Sequence, residues 1–368
     1  MAPKAHISAT IVATALLLVV TLASAKKEVI IPDDYGFIDE WMELEVRSFD
    51  DRMDEAQAGI GKPLDESLVD AEQNKRVITV SGDFKTVSDA VNSVPKDNTN
   101  RTIIKIGPGV YKEKITVDRS KPFITFFGDH DAMPTLTFDG RAAEYGTVNS
   151  ASVAVDADYF MAVNIIFENT SPRPVLGVKG AQAVAMKIGG DKAAFYSCKI
   201  YGFQDTLCDH KGRHFFKDCF IQGTVDFIFG GGKFLYLRCE MHSVADGLIA
   251  ITAQARKSRD EDSGFSFVHC NVTGSGKVLL GRAWMPSSLV VYSFANLDSI
   301  VEPRGWDDFG KEDRHRTLLF GEHNCKGPGA NMDQRVPYCK ALNSKQARRF
   351  TSTSFIEAET WLLPPPKL

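Results

Sequence analysis

The chain has 368 residues, with 43 Lys and Arg against 47 Asp and Glu, a formal charge of -4, 43% hydrophobic residues and 24% charged ones. That balance excludes a collagen, a disordered tail and a basic nucleic-acid-binding module, and it leaves a soluble globular protein of two domains or one large core.

At the N-terminus, Lys4 and His6 precede an apolar run from Ile11 to Leu22 that ends in Ala23-Ser24-Ala25. The pattern predicts a cleaved signal peptide over residues 1–25; the alternative is an uncleaved anchor, for which the run is short against the roughly 20 residues a spanning helix needs. No later segment is apolar enough to span, so the expected product is secreted and free of the membrane. Residues 26–75 read as an acidic helical segment. Between positions 33 and 55 there are ten acids against Arg47 and Arg52, with Phe37, Trp41, Leu44 and Phe49 at near-helical spacing. Such a helix either docks a regulator or packs against one end of the core. A second helix is expected from Thr86 to Val94, with Thr86 as its cap and Pro95 as its stop.

From about residue 103 short β-rich runs alternate with Gly, Asn and Asp turns, and an aromatic-x-x-Cys unit repeats. Its copies are Phe195 to Cys198, Phe216 to Cys219, Tyr236 to Cys239 and Phe267 to Cys270, with Phe160 to Val163 as an earlier copy lacking the cysteine. A period of 20 to 22 residues suits one coil of a parallel β-helix, and the regular Leu and Asn ladder of a leucine-rich repeat is absent. The expected fold class is therefore all-β, a solenoid over residues 76–368 with short flanking helices. In such a fold, residues one period apart sit about 4.8 Å apart on adjacent rungs.

Rung spacing also governs the cysteines. Cys239 and Cys270 belong to consecutive units, and neighbouring rungs fall within the Cα separation a disulfide tolerates, so a bridge between them is expected, with Cys325 and Cys339 as a weaker second pair and a buried thiol stack as the alternative. Seven cysteines leave at least one unpaired. Asn100, Asn169 and Asn271 each head a glycosylation sequon.

Two polar clusters lie one period apart, Gly202-Phe203-Gln204-Asp205-Thr206 and Gly223 to Gly230, so Asp205 and Asp226 are expected on stacked rungs, with Gln182 one coil before Gln204. Two carboxylates at that distance in a partly dry cleft should split into an acid and a nucleophile or base, and stacked amides beside them offer donors to an oxyanion. A purely structural Asp/Gln ladder accounts equally well for the spacing alone. Further on, Arg282 and Trp284 combine a cation able to grip a carboxylate with an aromatic face for a sugar ring.

At these residues the chain resembles the plant pectin methylesterases (pectinesterases). The likeness runs from about Val77 to Trp361 through Gly109 to Glu113, Gln182 to Met186, Gly202 to Leu207, Gly223 to Gly230 and Leu280 to Trp284. It implies a right-handed parallel β-helix that hydrolyses methyl esters of homogalacturonan to pectate and methanol in the cell wall. It casts Asp226 as nucleophile, Asp205 as acid then base, Gln182 and Gln204 as oxyanion donors, Arg282 as the group orienting Asp226, and Trp284, Trp306, Phe203 and Phe227 as the sugar-binding lining. It also implies a short form without the inhibitor-like pro-domain, acting as a monomer on pectin, with a proteinaceous pectinesterase inhibitor as a candidate partner.

An ester cleaved by two carboxylates needs no Lewis acid, so no cofactor and no metal is expected. Two departures stand out: Ala283 where the family usually has Pro, and Cys208 where it often has Tyr. Competing readings lack their signatures. A lyase would want a Ca²⁺-binding carboxylate cluster, a polygalacturonase a His-Gly motif and a serine hydrolase a Gly-x-Ser-x-Gly elbow; no His here is followed by Gly.

Overall fold

The computed structural model describes residues 29–175 and 178–368; the expected signal peptide lies outside them. From Arg76 the chain winds as a parallel β-helix, an eleven-stranded sheet against a fourteen-stranded one. The larger sheet is folded on itself, because the long strand Glu240–Gln254 pairs at its start with Phe220–Gly223 and at its end with Ile228–Gly230. Each coil therefore has three legs. One coil runs through Ala193–Tyr196, Lys199–Tyr201 and Leu207–Asp209, and the next through Arg213–Lys217, Phe220–Gly223 and Ile228–Gly230.

The aromatic-x-x-Cys unit forms the first leg and its corner. Phe195, Phe216, Tyr236, Phe267 and Tyr292 stack in register, with ring centroids 4.4, 4.5, 4.8 and 4.5 Å apart, close to the natural strand spacing. The residue before each cysteine turns the corner in the left-handed region: Ser197, Asp218, Arg238 and His269 have φ of 51°, 56°, 55° and 54°. Such a φ is costly for a side chain bearing a Cβ, and the ladder on both sides holds it. Asn164 adopts the same φ of 55°, and Phe195 pairs with Ala162. The earlier copy is thus Ala162 to Ile165, two residues later than expected.

All seven cysteines are free thiols, so neither the Cys239–Cys270 bridge nor the Cys325–Cys339 bridge forms. For Cys239 and Cys270 the reason is parallel register: equivalent residues on stacked rungs point their Cβ atoms the same way, whereas a disulfide needs them to converge; Cys339 instead pairs with Phe320, off the corner column that holds Cys325. Five of the thiols instead bond to backbone carbonyls, and Cys339 to the Glu322 carboxylate. Cys239 Sγ lies 3.5 Å from Phe216 O and 3.6 Å from Leu237 O, and Cys270 Sγ repeats the pattern at Tyr236 O and Val268 O.

The acidic segment breaks into a 3-10 turn, Tyr35–Phe37, and two helices, Ile38–Glu45 and Phe49–Gln57, followed by a third, Glu66–Gln73. Ser48 makes the break, its Oγ accepting from Asp51 N at 3.3 Å. Phe37 and Leu44 stay exposed, while Ile38, Trp41, Val46, Leu64, Leu68 and Ala71 are buried. They pack on the outward face of the first leg against Met161, Tyr196, Phe215 and Leu235, together with the C-terminal Phe355, Trp361 and Leu362. The segment thus lies along a side of the solenoid and not across its end. Asp39–Arg238, Asp65–Lys192 and the buried Glu72–Arg101 pair pin it at 2.8, 2.8 and 2.7 Å. The open end of the first coil is covered instead by helix Val87–Ser93, whose cap Thr86 Oγ1 accepts from Asp89 N as expected.

Between the two aspartate-bearing turns the coil is fastened by a buried pair. His214 Nδ1 lies 2.7 Å from Asp209 Oδ1, and His214 Nε2 lies 2.7 Å from Gly190 O. Gly232 leaves room for the carboxyl, since a Cβ there would meet Asp209 Oδ1 at 1.9 Å. Burial disfavours the imidazolium, but Asp209 and the Gly190 carbonyl outweigh it and raise His214 above the ordinary histidine range. Burial raises Asp209 as well, against the pull of His214.

Nε2 donates to Gly190 O, and one further proton lies between Nδ1 and Oδ1. The unfolded chain releases that proton as pH passes about 6.5, so folding takes it up and stability falls with rising pH until the folded pair itself lets go. Urea unfolding at pH 6.5, 7.5 and 8.5 is expected to lose stability more steeply in the wild type, by up to about 1.4 kcal/mol per pH unit, than in an Asp209→Asn, His214→Gln double variant. Parallel slopes would refute it.

Candidate active site

Asp205 and Asp226 sit at the corners that open the third leg. Their φ values are 65° and 53°, the left-handed region that Asp tolerates better than most residues. The register of Leu207 with Ile228 and Cys208 with Phe229 stacks the two corners. Asp205 N donates to Val225 O at 3.1 Å and Asp226 N to Ala250 O at 2.8 Å, so each corner hangs from the next coil. Close stacking demands glycine before each: a Cβ on Gly223 would meet Phe227 Cβ at 2.2 Å, and one on Gly202 would meet Thr206 Oγ1 at 2.8 Å.

Arg282 ends the strand Asn271–Arg282. Its Nε and Nη2 donate to Asp226 Oδ1 and Oδ2 at 2.7 and 2.6 Å, a bidentate grip that fixes the plane of a buried carboxylate. The third guanidinium nitrogen, Nη1, is buried with no partner among the described residues. Asp205 is half-buried. Burial chiefly pushes its carboxyl up to about 8, the negative charge of Asp226 adds to the rise, and Arg282 partly offsets both. One carboxylate is thus ion-paired and the other is held protonated through neutral pH.

Gln182 and Gln204 stand half-buried on successive coils beside the pair, linked by Ala183 N donating to Gln204 O at 3.1 Å. Their side-chain amides take no hydrogen bond among the described residues. The floor is apolar: Cys208, Phe229, Ala253, Ala151 and Val184 are buried together, and half-buried Trp284 packs on them with its ring 6.2 Å from that of Phe229. Among the described residues, no group of three His, Cys, Asp or Glu is placed to hold a metal ion.

A family model described as Pectinesterase matches residues 77–359. The chain belongs to the pectinesterase family. It is 48% identical to "Putative pectinesterase 63" of Arabidopsis thaliana over 360 residues, 97% of this chain and 98% of that one. It is 50% identical to "Pectinesterase 2" of Olea europaea over 308 residues, 82% of this chain and 84% of that one. Among solved structures, a pectin methylesterase from carrot superposes with a TM-score of 0.72 at 33% identity, over 79% of this chain and 96% of that one. One from Aspergillus niger gives a TM-score of 0.68 at 26% identity, over 80% and 97%.

Two expected lining residues of this pectinesterase prove to be core. Phe227 is fully buried, and so is Trp306, whose Nε1 donates to Glu322 Oε1 at 3.0 Å and whose ring stacks on Phe320 at 4.5 Å. Strand parity explains it: Trp306 pairs with Gly281 and Asp307 with Arg282, so 306 faces in where 307 faces out. The aromatic at the cleft is Phe309, 52% exposed and 4.5 Å from the Arg282 guanidinium. Sequence reading passed over Phe309, which lies in the turn after the strand with φ of 61°, beyond the reach of strand parity. Phe203 is half-buried next to Gln204.

The Ala283 departure is compensated. Ala283 N donates to Asp307 O at 2.8 Å, a bond no proline could make, and Arg314 Nη1 holds the carbonyls of Ala283 and Trp284. Cys208 is a free thiol sealed in the floor, its pKa raised by burial and then by Asp209, which makes it a poor nucleophile. Of the sequons, Asn100 is exposed and Asn271 half-buried. Asn169 is buried, its Nδ2 donating to Gly140 O and Val184 O at 2.9 Å each, so that site is closed to a glycan.

Proposed function

We propose that this pectinesterase hydrolyses the methyl esters of homogalacturonan with Asp226 as nucleophile and Asp205 as acid and base. The observation that carries this division of labour is the asymmetry of the stacked pair: Arg282 grips both oxygens of Asp226, while Asp205 keeps its proton to about 8. In the first half-reaction an Asp226 oxygen attacks the C6 carbonyl carbon, and the amides of Gln182 and Gln204 donate to the oxyanion. The tetrahedral centre collapses, the C–O bond to the methoxy group breaks, and Asp205 supplies the proton that makes methanol. In the second, Asp205 takes a proton from water as that water attacks the acyl carbonyl, which frees the galacturonate and returns Asp226 as a carboxylate. Trp284, Phe203 and the exposed ring of Phe309 offer faces to the sugars.

The rest of the reading is its setting. Residues 1–25 export the chain to the cell wall, where it acts as a monomer, and the open cleft is the surface a proteinaceous inhibitor would cover. No helix among the described residues is long and apolar enough to cross a membrane. The test is methanol release from methylated homogalacturonan after exhaustive chelation. Methanol and new carboxylate should appear in equal amounts at an unchanged rate, with no unsaturated sugar. A loss above about tenfold, restored by Ca²⁺, together with an unsaturated product, would point to a lyase and against this reading.

A further inference from the structure

Arg173 follows the strand Ile166–Asn169 and stands on the cleft wall. Its guanidinium carbon lies 5.8 Å from the centroid of Phe203, the residue before Gln204. Phe203 is itself tied to the catalytic turns, its carbonyl accepting from Thr206 Oγ1 and from Thr224 N at 2.9 Å each. Arg173 Nη2 donates to Val244 O and lies 3.0 Å from Asp246 Oδ2.

Four other cations near the pair are committed. Arg282 serves Asp226, Lys187 is held by both oxygens of Asp156 at 2.7 and 2.8 Å, Lys114 bonds the carbonyls of Asn149 and Ala151, and Arg314 bonds those of Ala283 and Trp284. Arg173 differs in its counter-charge. The side chain of Asp246 is 87% exposed and has no other partner among the described residues. An ion pair so open to water contributes little, and another carboxylate can replace Asp246 at small cost.

We propose that Arg173 is a specificity-determining residue that binds a free carboxylate on a galacturonate flanking the scissile ester, that carboxylate taking the place of Asp246. The proposal rests on the pectinesterase reading of the site. Its consequence is directional: every ester cleaved creates the anion Arg173 favours, so the chain works best beside its own product and clears esters in runs.

The test compares methanol release by the full chain on fully methylated homogalacturonan and on a partly de-esterified one at equal ester concentration. The wild type should show a KM about fivefold lower on the partly de-esterified polymer, the scale of one partly exposed charge-assisted contact, and the gap should shrink in high salt. Arg173→Gln should erase the gap while leaving kcat and KM on the fully methylated polymer within about twofold, and Arg173→Lys should restore part of it. Asp246→Asn, which keeps the cation and removes its competitor, should widen the gap and serves if Arg173→Gln folds poorly. Arg173→Gln raising KM equally on both polymers, or Asp246→Asn leaving the gap unchanged, would overturn the assignment. A wild type that releases no methanol from either polymer would instead overturn the pectinesterase reading beneath it.

Discussion

Asp226→Asn is expected to lower methanol release from methylated pectin by about 10⁴-fold or more, the scale seen when a covalent nucleophile is removed. Asparagine keeps the size of the side chain and one acceptor for Arg282, but it cannot form the acyl-enzyme. The substitution also leaves Arg282 without its counter-charge in a half-buried position, which costs stability. The measurement is therefore kcat on protein whose melting transition remains above the assay temperature. Near wild-type turnover in a folded Asp226→Asn variant would return the stacked aspartates to the role of a structural ladder.

For Asp205 the expected signature is in the pH profile. Its carboxyl titrates at about 8 because burial, and then Asp226, disfavour the anion. The protonated form delivers the proton to methanol, so wild-type activity should hold below that pH and fall about tenfold per unit above it. Asp205→Asn should reduce kcat by roughly 10²–10⁴-fold, and the residual rate should no longer break near pH 8. Rate against pH from 6 to 10 for both proteins checks it. A break that survives in the variant would assign the titration to another group.

Much of this site was legible because a solenoid converts sequence period into distance. The 21-residue interval between Asp205 and Asp226 becomes one rung through the register of Leu207 with Ile228, and Gln182 joins by the same rule. Arg282 lies beyond the reach of that rule. It lies two coils on from Asp226, past the fifteen-residue strand Glu240–Gln254, so the partnership spans 56 residues and had to come from family likeness. The misreadings have a common origin in side-chain direction, which spacing does not carry. Cys239 and Cys270 are one rung apart but point in parallel, and Trp306 and Phe309 differ in which way their strand and turn face. Ser48 broke the acidic helix for a local reason, a side-chain cap competing with continued helical bonding.

The account turns on a covalent link at Asp226, and trapping it tests that most directly. The wild type turning over methylated homogalacturonan in hydroxylamine should divert the mixed anhydride to hydroxamate, on the galacturonate where the sugar acyl carbon is attacked and on Asp226 where the side-chain carbon is attacked, both found by mass mapping above the background of a folded Asp226→Asn variant while methanol release continues. Steady methanol release with no enzyme-dependent hydroxamate on either group, or with a side-chain hydroxamate on Asp205 instead, would contradict the assignment.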